Sequence, residues 1–480
     1  MKKIIILSLA LLIFTSCESE FLDTTPESTI NDAQLSTSAE ANEAIINGIY
    51  SALRSYGLSV AGSHEDYGHK SILAATDLMS NDMLMTKSNW YSNFYNYQAR
   101  QQTNTRSRLA WSTYYPQIKT TNVVLTAIPE GVTDDKLKAI RGQALALRGY
   151  FYFMLARMYG PTYIGNENKL CVPLYTEVIF EGKARASVSE VYTTIEKDLK
   201  ESITLLDGNK RKNNNAIDQS VAQAFLADVY LEMGKYSDAA ILANAARKDY
   251  PLLTENEWMQ GFYDVSNKDT MWGATITSAE STFVASFFSH FDNTNTSGYA
   301  GGLGIYKNID KNLYNNISDT DYRKNAFVAP TGNATYPSLP AYANLKFIDP
   351  TITAGDYIYL RAASMYYIEA EAYARSGNEA LARKVLYDIT ITRDPSYTLS
   401  TNTGTALINE IILQKRIELW GEGYAWFDMK RLGVNLNRDY PGSNHSAFGK
   451  FNIVAGDNKF IFQIPQAEID ANPLIVQNPL

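Results

Sequence analysis

Residues 219–251 read QSVAQAFLADVYLEMGKYSDAAILANAARKDYP, and this stretch decides the fold. Its small, aromatic and turn residues fall at the spacing of the tetratricopeptide repeat, a helix–turn–helix unit of about 34 residues. The matching positions are Leu226, Ala227, Tyr230, Gly234, Tyr236, Ala239, Ala243, Ala246 and Pro251. Small residues at these positions let two helices approach closely. The stretch therefore predicts a helix pair with its turn at Gly234.

A second segment matches the first when the two are aligned on a glycine turn. Its corresponding positions are Ala370, Tyr373, Gly377, Ala382 and Leu386. Both segments lack the early tryptophan of the repeat, with Gln223 and Tyr366 in its place. Less regular helix pairs, 112–128 with 136–159 and 187–206 with 218–232, could supply further units of the same stack.

The helical pattern fades between residues 252 and 355, where Gly, Asn, Ser, Thr and aromatic residues accumulate. Helix is predicted to resume over 357–388 and again over 406–432. We predict a mostly α fold in which about four tetratricopeptide-like helix pairs form a scaffold, and a large, irregular, loop-rich insertion forms much of the ligand surface. The predicted division is a signal peptide at 1–16, a tether at 17–42, scaffold at 43–251 and 356–480, and the insertion at 252–355.

The N-terminus has the three parts of a secretory signal. Lys2 and Lys3 are followed by an apolar run over 4–14, and Thr15 and Ser16 precede Cys17. Such a short apolar run does not span a bilayer, which takes about 20 residues of helix. Thr15-Ser16-Cys17 reads as a lipobox, which predicts that Cys17 carries lipid. The alternative is ordinary cleavage near Ser16, with Cys17 a spectator.

Composition narrows the class of partner. The net charge of −8 and the pI near 5.3 argue against nucleic acid, since such partners need clustered Lys and Arg. The one short basic cluster is Lys210-Arg211-Lys212. The only cysteines are Cys17 and Cys171, so lipid on Cys17 would leave no intramolecular disulfide.

The sequence contains few residues whose spacing is typical of a catalytic or metal site. The four histidines include His64 and His69, whose spacing of five suits no shared metal on one helix face. Glu418 and Glu422 lie four apart on a predicted helix, but an ion-pair network is the favoured role. The neighbours expected to pair with them are Arg416, Lys430 and Arg431. We therefore expect neither an enzyme nor a cofactor.

Four segments, in this order, resemble the SusD/RagB-like family of nutrient-binding lipoproteins of the Bacteroidetes outer membrane. They are FLDTTP at 21–26, RGQALALRGYFYF at 141–153, RIELWGEGYAWFDMKR at 416–431 and IPQAEIDANP at 464–473 with QNP at 477–479. The last two segments are the most specific. The similarity runs through essentially the whole mature chain.

The resemblance implies the helical-repeat scaffold, an outer-membrane location facing the cell exterior, and a SusC-like TonB-dependent transporter as partner. It implies that the protein binds oligosaccharides without breaking bonds and delivers them to that transporter. Peptide cargo on the same scaffold, as in the RagB branch, stays open. A surface enzyme or adhesin is the least favoured interpretation.

Family members place an aromatic arc for the ligand on two segments, one between the first helices and one in the insertion. By region, the resemblance implies these ligand-binding residues: Trp90, Tyr91, Asn93, Tyr95, Trp272, Tyr299, Tyr336 and Tyr342. Most helical tyrosines are expected to pack in the core instead. The same expectation covers Trp111, Trp258, Trp420, Trp426 and Phe427.

Overall fold

The computed structural model describes residues 38–351 and 354–480. The predicted signal peptide, Cys17 and most of the predicted tether therefore lie outside the described residues. The first helix begins at Ala39, inside the segment predicted as tether, because the side chain of Ser38 accepts a hydrogen bond from the amide of Ala41 and caps it. Within the described ranges, none of the helices has both the length and the apolar content needed to cross a bilayer.

Helices dominate the described chain. They are α1 Ala39–Ala52, α2 His69–Leu78, α3 Ser92–Tyr95, α4 Leu109–Ala127, α5 Asp135–Tyr159, α6 Val188–Leu205, α7 Gln219–Met233, α8 Tyr236–Arg247, α9 Glu255–Trp258, α10 Phe287–Phe291, α11 Tyr299–Leu303, α12 Lys311–Asn315, α13 Ala362–Arg375, α14 Glu379–Thr390, α15 Gly404–Glu418, α16 Ala425–Arg431 and α17 Gln466–Ala471. The long helices pack in sequence, α4 on α5, α5 on α6, α6 on α7 and α7 on α8, and α8 then packs on α13. This continuous stack confirms the mostly α, repeat-like fold.

The repeat at 219–251 folds as its spacing predicts. Helix α7 ends at Gly234, which adopts the left-handed conformation with φ of 75°. Ala239, Ala243 and Ala246 on α8 are buried, so the two helices lie close together. The second repeat forms α13 and α14 around Gly377, whose φ is 84°.

Two boundaries predicted for the C-terminal half are wrong. Residues 357–361 form a strand before α13 begins, and the helix predicted over 406–432 breaks between α15 and α16. Gly421 and Gly423 explain the break, because both have positive φ and both pack against other side chains. A Cβ on Gly421 would lie 2.3 Å from the ring of Phe347.

In the described ranges, eight short strands form four antiparallel pairs, and two of these pairs join the irregular region to the rest of the chain. The strands are β1 Met83–Met85, β2 Leu170–Pro173, β3 Arg185–Ser187, β4 Thr270–Ala274, β5 Lys307–Ile309, β6 Tyr357–Arg361, β7 Leu436–Asn437 and β8 Asn452–Ile453. β5 pairs with β1, and β4 pairs with β6. Elements of three to five residues occupy 255–315, which is consistent with the loss of helical periodicity there.

A buried ionic cluster joins the irregular region to the C-terminal helices. The carboxylate of Glu418 lies 3.1 to 3.2 Å from the guanidinium groups of Arg323, Arg361 and Arg393. All four side chains are fully buried. Burial alone would raise the pKa of Glu418, but the three guanidinium groups hold it well below its usual range.

Glu418 and Glu422 do form ion pairs, but with partners other than those predicted. Glu422 pairs with Arg361 and with Lys346, each at 2.6 Å. The three cations predicted as partners bind other groups. Arg416 pairs with Asp82, and Arg431 pairs with Glu371 and Asp428. Lys430 donates to the carbonyls of Arg157 and Gly160. The true partners come from distant segments, so helical spacing alone could not identify them.

Replacing Glu418 by Ala should lower the free energy of unfolding by about 3–5 kcal/mol, because three buried guanidinium groups lose their shared partner. Urea denaturation at neutral pH measures this change. Asp388→Ala is the control, since it removes a solvent-exposed pair with Lys384 and should change stability by about 0.5 kcal/mol or less. Equal effects of the two substitutions would contradict the role assigned to Glu418.

Candidate functional site

Four aromatic rings from three distant parts of the chain meet at the surface. His64 stacks on Trp90 with ring centres 5.1 Å apart, and Tyr56 meets His64 edge-on at 5.9 Å. Tyr299 lies edge-on to Trp90 at 6.3 Å, and its hydroxyl is hydrogen-bonded to Nδ1 of His64 at 2.6 Å. Tyr56 is 37% exposed and the other three rings are half-buried. We refer to Tyr56, His64, Trp90 and Tyr299 as the aromatic cluster.

Trp90 is held at the surface by a strained turn. The next residue, Tyr91, is fully buried and has a φ of 72°, a left-handed conformation that costs a tyrosine roughly 1–3 kcal/mol. Two interactions hold it there: its amide donates to the carboxylate of Glu65, and its hydroxyl donates to that of Tyr67 at 2.5 Å. Tyr91 therefore anchors the turn that presents Trp90.

The carboxylate of Glu65 also fixes a cation beside the cluster. It accepts a hydrogen bond from Nε of Arg106, whose guanidinium carbon lies 5.8 Å from the centre of the Trp90 ring. Glu65 is buried, whereas about a quarter of the Arg106 side chain is exposed. The arrangement leaves guanidinium donors available at the edge of Trp90.

Tyr299 starts α11 within a glycine-rich loop that packs tightly on its neighbours. A Cβ on Gly298 would lie 2.8 Å from the carbonyl oxygen of Ser289, so no larger residue fits there without a shift. The ring of Tyr299 stacks on His290 at 4.8 Å, with the two planes only 9° apart. Nε2 of His290 is in turn hydrogen-bonded to the carbonyl of His64 at 2.8 Å.

His290 acts as a neutral support for Tyr299. Burial lowers the pKa of His290 to about 3, and the nearby charge of Lys307 acts in the same direction. The imidazole is therefore uncharged at neutral pH. The cluster is thus fixed by packing and hydrogen bonds on its inner side and is open on its outer side.

Comparison with known proteins decides the family. Residues 177–480, more than half of the chain, match the SusD family. The chain belongs to the SusD family. Residues 20–231 also match a related SusD-like family described as starch-binding and associating with the outer membrane.

Relatives of this SusD-family chain cover most of its length. It is 23% identical to SusD-like protein P38 of Formosa agariphila, over 89% of this chain and 90% of that protein. A SusD-like carbohydrate binding protein from Bacteroides vulgatus ATCC 8482 has 27% identity and a TM-score of 0.79, over 91% of this chain and 97% of the other. A laminarin-binding SusD-like protein shares the fold with a TM-score of 0.68, at 22% identity over 91% of this chain and 98% of its own.

Three of the residues expected to bind ligand lie in the core of this SusD-family chain, so the expectation is wrong for them. Tyr91 and Tyr95 are fully buried; the hydroxyl of Tyr95 is hydrogen-bonded to His445 at 2.7 Å. Trp272 is 1% exposed on β4, where its ring packs against Tyr359 and three further aromatic side chains. Those three are His69, Tyr150 and Phe225.

The structure brings Trp90 and Tyr299 together, one from each of the two expected segments. Tyr336 and Tyr342 are half-buried elsewhere in the irregular region, and within the described residues no ring contact connects either to the aromatic cluster. Asn93 is half-buried two residues after the strained turn, and its side chain makes no hydrogen bond to the described chain. Ligand binding by these five residues stays a prediction.

Sequence reasoning missed several residues of the site. Five side chains contribute a ring, a cation or a buried anchor to the candidate site, but the sequence pattern does not single them out. They are Tyr56, His64, Glu65, Arg106 and His290. Histidine spacing in a sequence is informative mainly for metal binding, and the described ranges contain no group of three or more His, Cys, Asp or Glu side chains that could hold a metal ion. The glycines at 298, 301 and 302 pack closely in the structure, but in the sequence they are equally typical of a flexible loop and do not identify these five residues.

Because His290 is neutral in the folded chain, its role can be tested through the pH dependence of folding stability. Its folded pKa of about 3 lies below the ordinary value of 6.5, so between these values the unfolded chain binds the extra proton and folding stability rises with pH. Between pH 7 and pH 5, the wild type should lose about 2 kcal/mol more stability than His290→Gln. Denaturant titrations of both proteins at the two pH values measure the difference; equal losses would contradict the assignment.

Proposed function

We propose that this chain is a non-catalytic cell-surface lipoprotein that binds oligosaccharides and delivers them to a SusC-like TonB-dependent transporter of the outer membrane. The observation that carries the proposal is the aromatic cluster. Its rings come from three segments and are held open to solvent by buried anchors. A sugar ring presents a C–H face that packs on such aromatic surfaces, at roughly 1 kcal/mol per contact beyond area burial.

Polar groups around the cluster supply the second part of sugar recognition. The guanidinium of Arg106 and Nε2 of His64 can bond hydroxyl groups, since only Nδ1 of that imidazole is bonded to Tyr299. Asn93, three residues after Trp90, offers a side-chain amide as well. A few placed polar groups beside apolar surface are typical of small-ligand sites. The carbohydrate-binding and laminarin-binding relatives support glycan as the cargo.

The acidic pair Glu418 and Glu422 does not support a hydrolytic role. Glu418 and Glu422 are buried among arginine and lysine side chains, so neither carboxylate reaches a substrate. Because the pKa of Glu418 is low, its carboxyl group is ionised at neutral pH and has no proton to donate. The proposal is therefore one of recognition alone.

Anchoring and partner belong to the proposal as well. The lipobox before Cys17 supports a lipid anchor, and the outer-membrane association of the matching family supports the location. A protein tethered in this way could cover a transporter and hand over its ligand. The SusC-like partner rests on family membership.

Substituting Trp90 or Tyr299 by Ala should weaken glycan binding roughly tenfold each, because each change removes one stacking surface and, for Tyr299, a hydrogen bond to His64. Calorimetry against a panel of oligosaccharides provides the measurement. Phe180→Ala is the matched control, since Phe180 is 85% exposed and has no ring contact with the cluster among the described residues.

The same panel should include tyrosine-poor peptides of mixed charge, which test the peptide alternative. Peptide binding that falls in the Trp90→Ala variant, with no glycan bound, would replace the glycan proposal by the peptide one. Unchanged glycan affinity in both Trp90→Ala and Tyr299→Ala would show that the site lies elsewhere. In that case Tyr336→Ala and Tyr342→Ala are the next variants to measure.

The lipid anchor has its own test. Cys17→Ala should abolish metabolic incorporation of a fatty-acid label and release the protein from the membrane fraction, because the proposed lipid is attached through the sulfur of Cys17. Cys171→Ala is the control, since Cys171 is buried and free. Retention of label in the Cys17 variant would refute the anchor.

A further inference from the structure

A large groove lies beside the first helix. It encloses about 640 Å³ between one face of α1, the start of α5 and the connection from α6 to α7. The short basic cluster noted in the sequence, Lys210-Arg211-Lys212, forms one of its walls. We refer to this feature as the basic groove.

The charges around the basic groove favour anions. Five cationic side chains line it, Arg54, Lys136, Lys210, Arg211 and Lys212, against the single carboxylate of Glu43. Three of the five are compensated from outside the groove: Arg54 by Glu280 at 2.7 Å, Arg211 by Asp218 at 2.9 Å and Lys136 weakly by Glu40 at 3.8 Å.

Lys210 and Lys212 lack the compensation that the other three cations have. Both are exposed, and neither forms an ion pair or hydrogen bond with any other residue of the described chain. Arg211, between them, anchors their loop by donating to the carbonyls of Ala216 and Met271 and to the hydroxyl of Tyr250. The loop thus holds two uncompensated ammonium groups at the groove of a chain whose net charge is −8.

The remaining lining suits a hydroxyl-rich ligand. Five side-chain amides face the groove, those of Asn47, Gln143, Asn209, Asn213 and Asn215. The amides of Asn47 and Asn209 offer both donors and an acceptor, whereas the oxygens of Gln143, Asn213 and Asn215 already accept hydrogen bonds within the chain. The hydroxyl of Tyr50 is already engaged, since it donates to Gln143 at 2.8 Å and accepts from the amide of Ile217.

The basic groove adjoins the aromatic cluster. Arg54 lines the groove, and Tyr56, only two residues later, is the exposed ring of the cluster. Two residues of chain span at most about 7 Å, which is comparable to one or two sugar units. The two features are therefore close at residues 54–56, and we expect an oligosaccharide of several units to be long enough to reach from one to the other.

We propose that the glycan bound by this protein is acidic, and that its carboxylate or sulfate groups lie in the basic groove, bound by Lys210 and Lys212, while its sugar rings stack on the aromatic cluster. This inference rests on the proposed function and specifies its substrate class. Shape recognition comes from the rings, and charge recognition from the two lysines. Added salt weakens the second contribution and leaves the first largely unchanged.

The test compares glycans that differ only in charge. Laminarin and sulfated laminarin form one pair, and oligogalacturonate and its full methyl ester form the other. In calorimetric titrations at low salt, the acidic member of at least one pair should bind about tenfold more tightly than the neutral member. The double variant Lys210→Gln/Lys212→Gln should remove that preference and leave the affinity for the neutral member unchanged.

Lys248→Gln/Lys459→Gln is the matched control, because it removes the same charge from exposed lysines that do not line the groove. It should keep the preference for the acidic glycan. Equal affinity for acidic and neutral members, or equal loss in the two double variants, would overturn the acidic-glycan inference while glycan binding itself stands. Absence of binding by all four glycans, acidic and neutral, would instead count against the proposed function.

Discussion

The carboxylate of Glu418 holds together segments that are far apart in sequence. Its three guanidinium partners come from the irregular region, from the end of β6 and from the loop after α14. The cluster as a whole is balanced, with four cations, Arg323, Lys346, Arg361 and Arg393, against four carboxylates, Asp269, Asp321, Glu418 and Glu422. Such a buried network tolerates little displacement, because each separated charge would remain in a poorly solvating interior.

This fixed junction has a consequence for the aromatic cluster. Tyr299 belongs to the irregular region, whereas Trp90 follows β1, and the β1–β5 pairing places Met83 opposite Ile309. With the irregular region locked to the helical stack, the strands on either side hold these two rings within contact distance. The ionic cluster therefore supports the geometry of the aromatic cluster without contacting it.

The sequence predicts local periodicity well and distant packing poorly. The helix pairs at 219–247 and 362–390 follow from apolar, small and glycine positions that lie within one turn of each other. The local pattern does not distinguish Trp90 from Trp272, since each lies in a segment with few helical signals. Their difference in exposure depends on rings supplied by α5, α7 and β6, which the local pattern does not contain. The partners of Glu418 were missed for the same reason.

The aromatic cluster and the basic groove differ in how much freedom binding removes. The strained turn at Tyr91 and the neutral ring of His290 have already fixed Trp90 and Tyr299, so little conformational entropy remains to be lost there. Lys210 and Lys212 are long and exposed and have no ionic partner among the described residues, so each would lose up to about 2 kcal/mol of side-chain entropy on ordering against an anion. Rigid rings discriminate shape, and mobile ammonium groups tolerate varied positions of charge. A surface built from both would accept a family of acidic chains sharing a backbone, rather than one oligosaccharide.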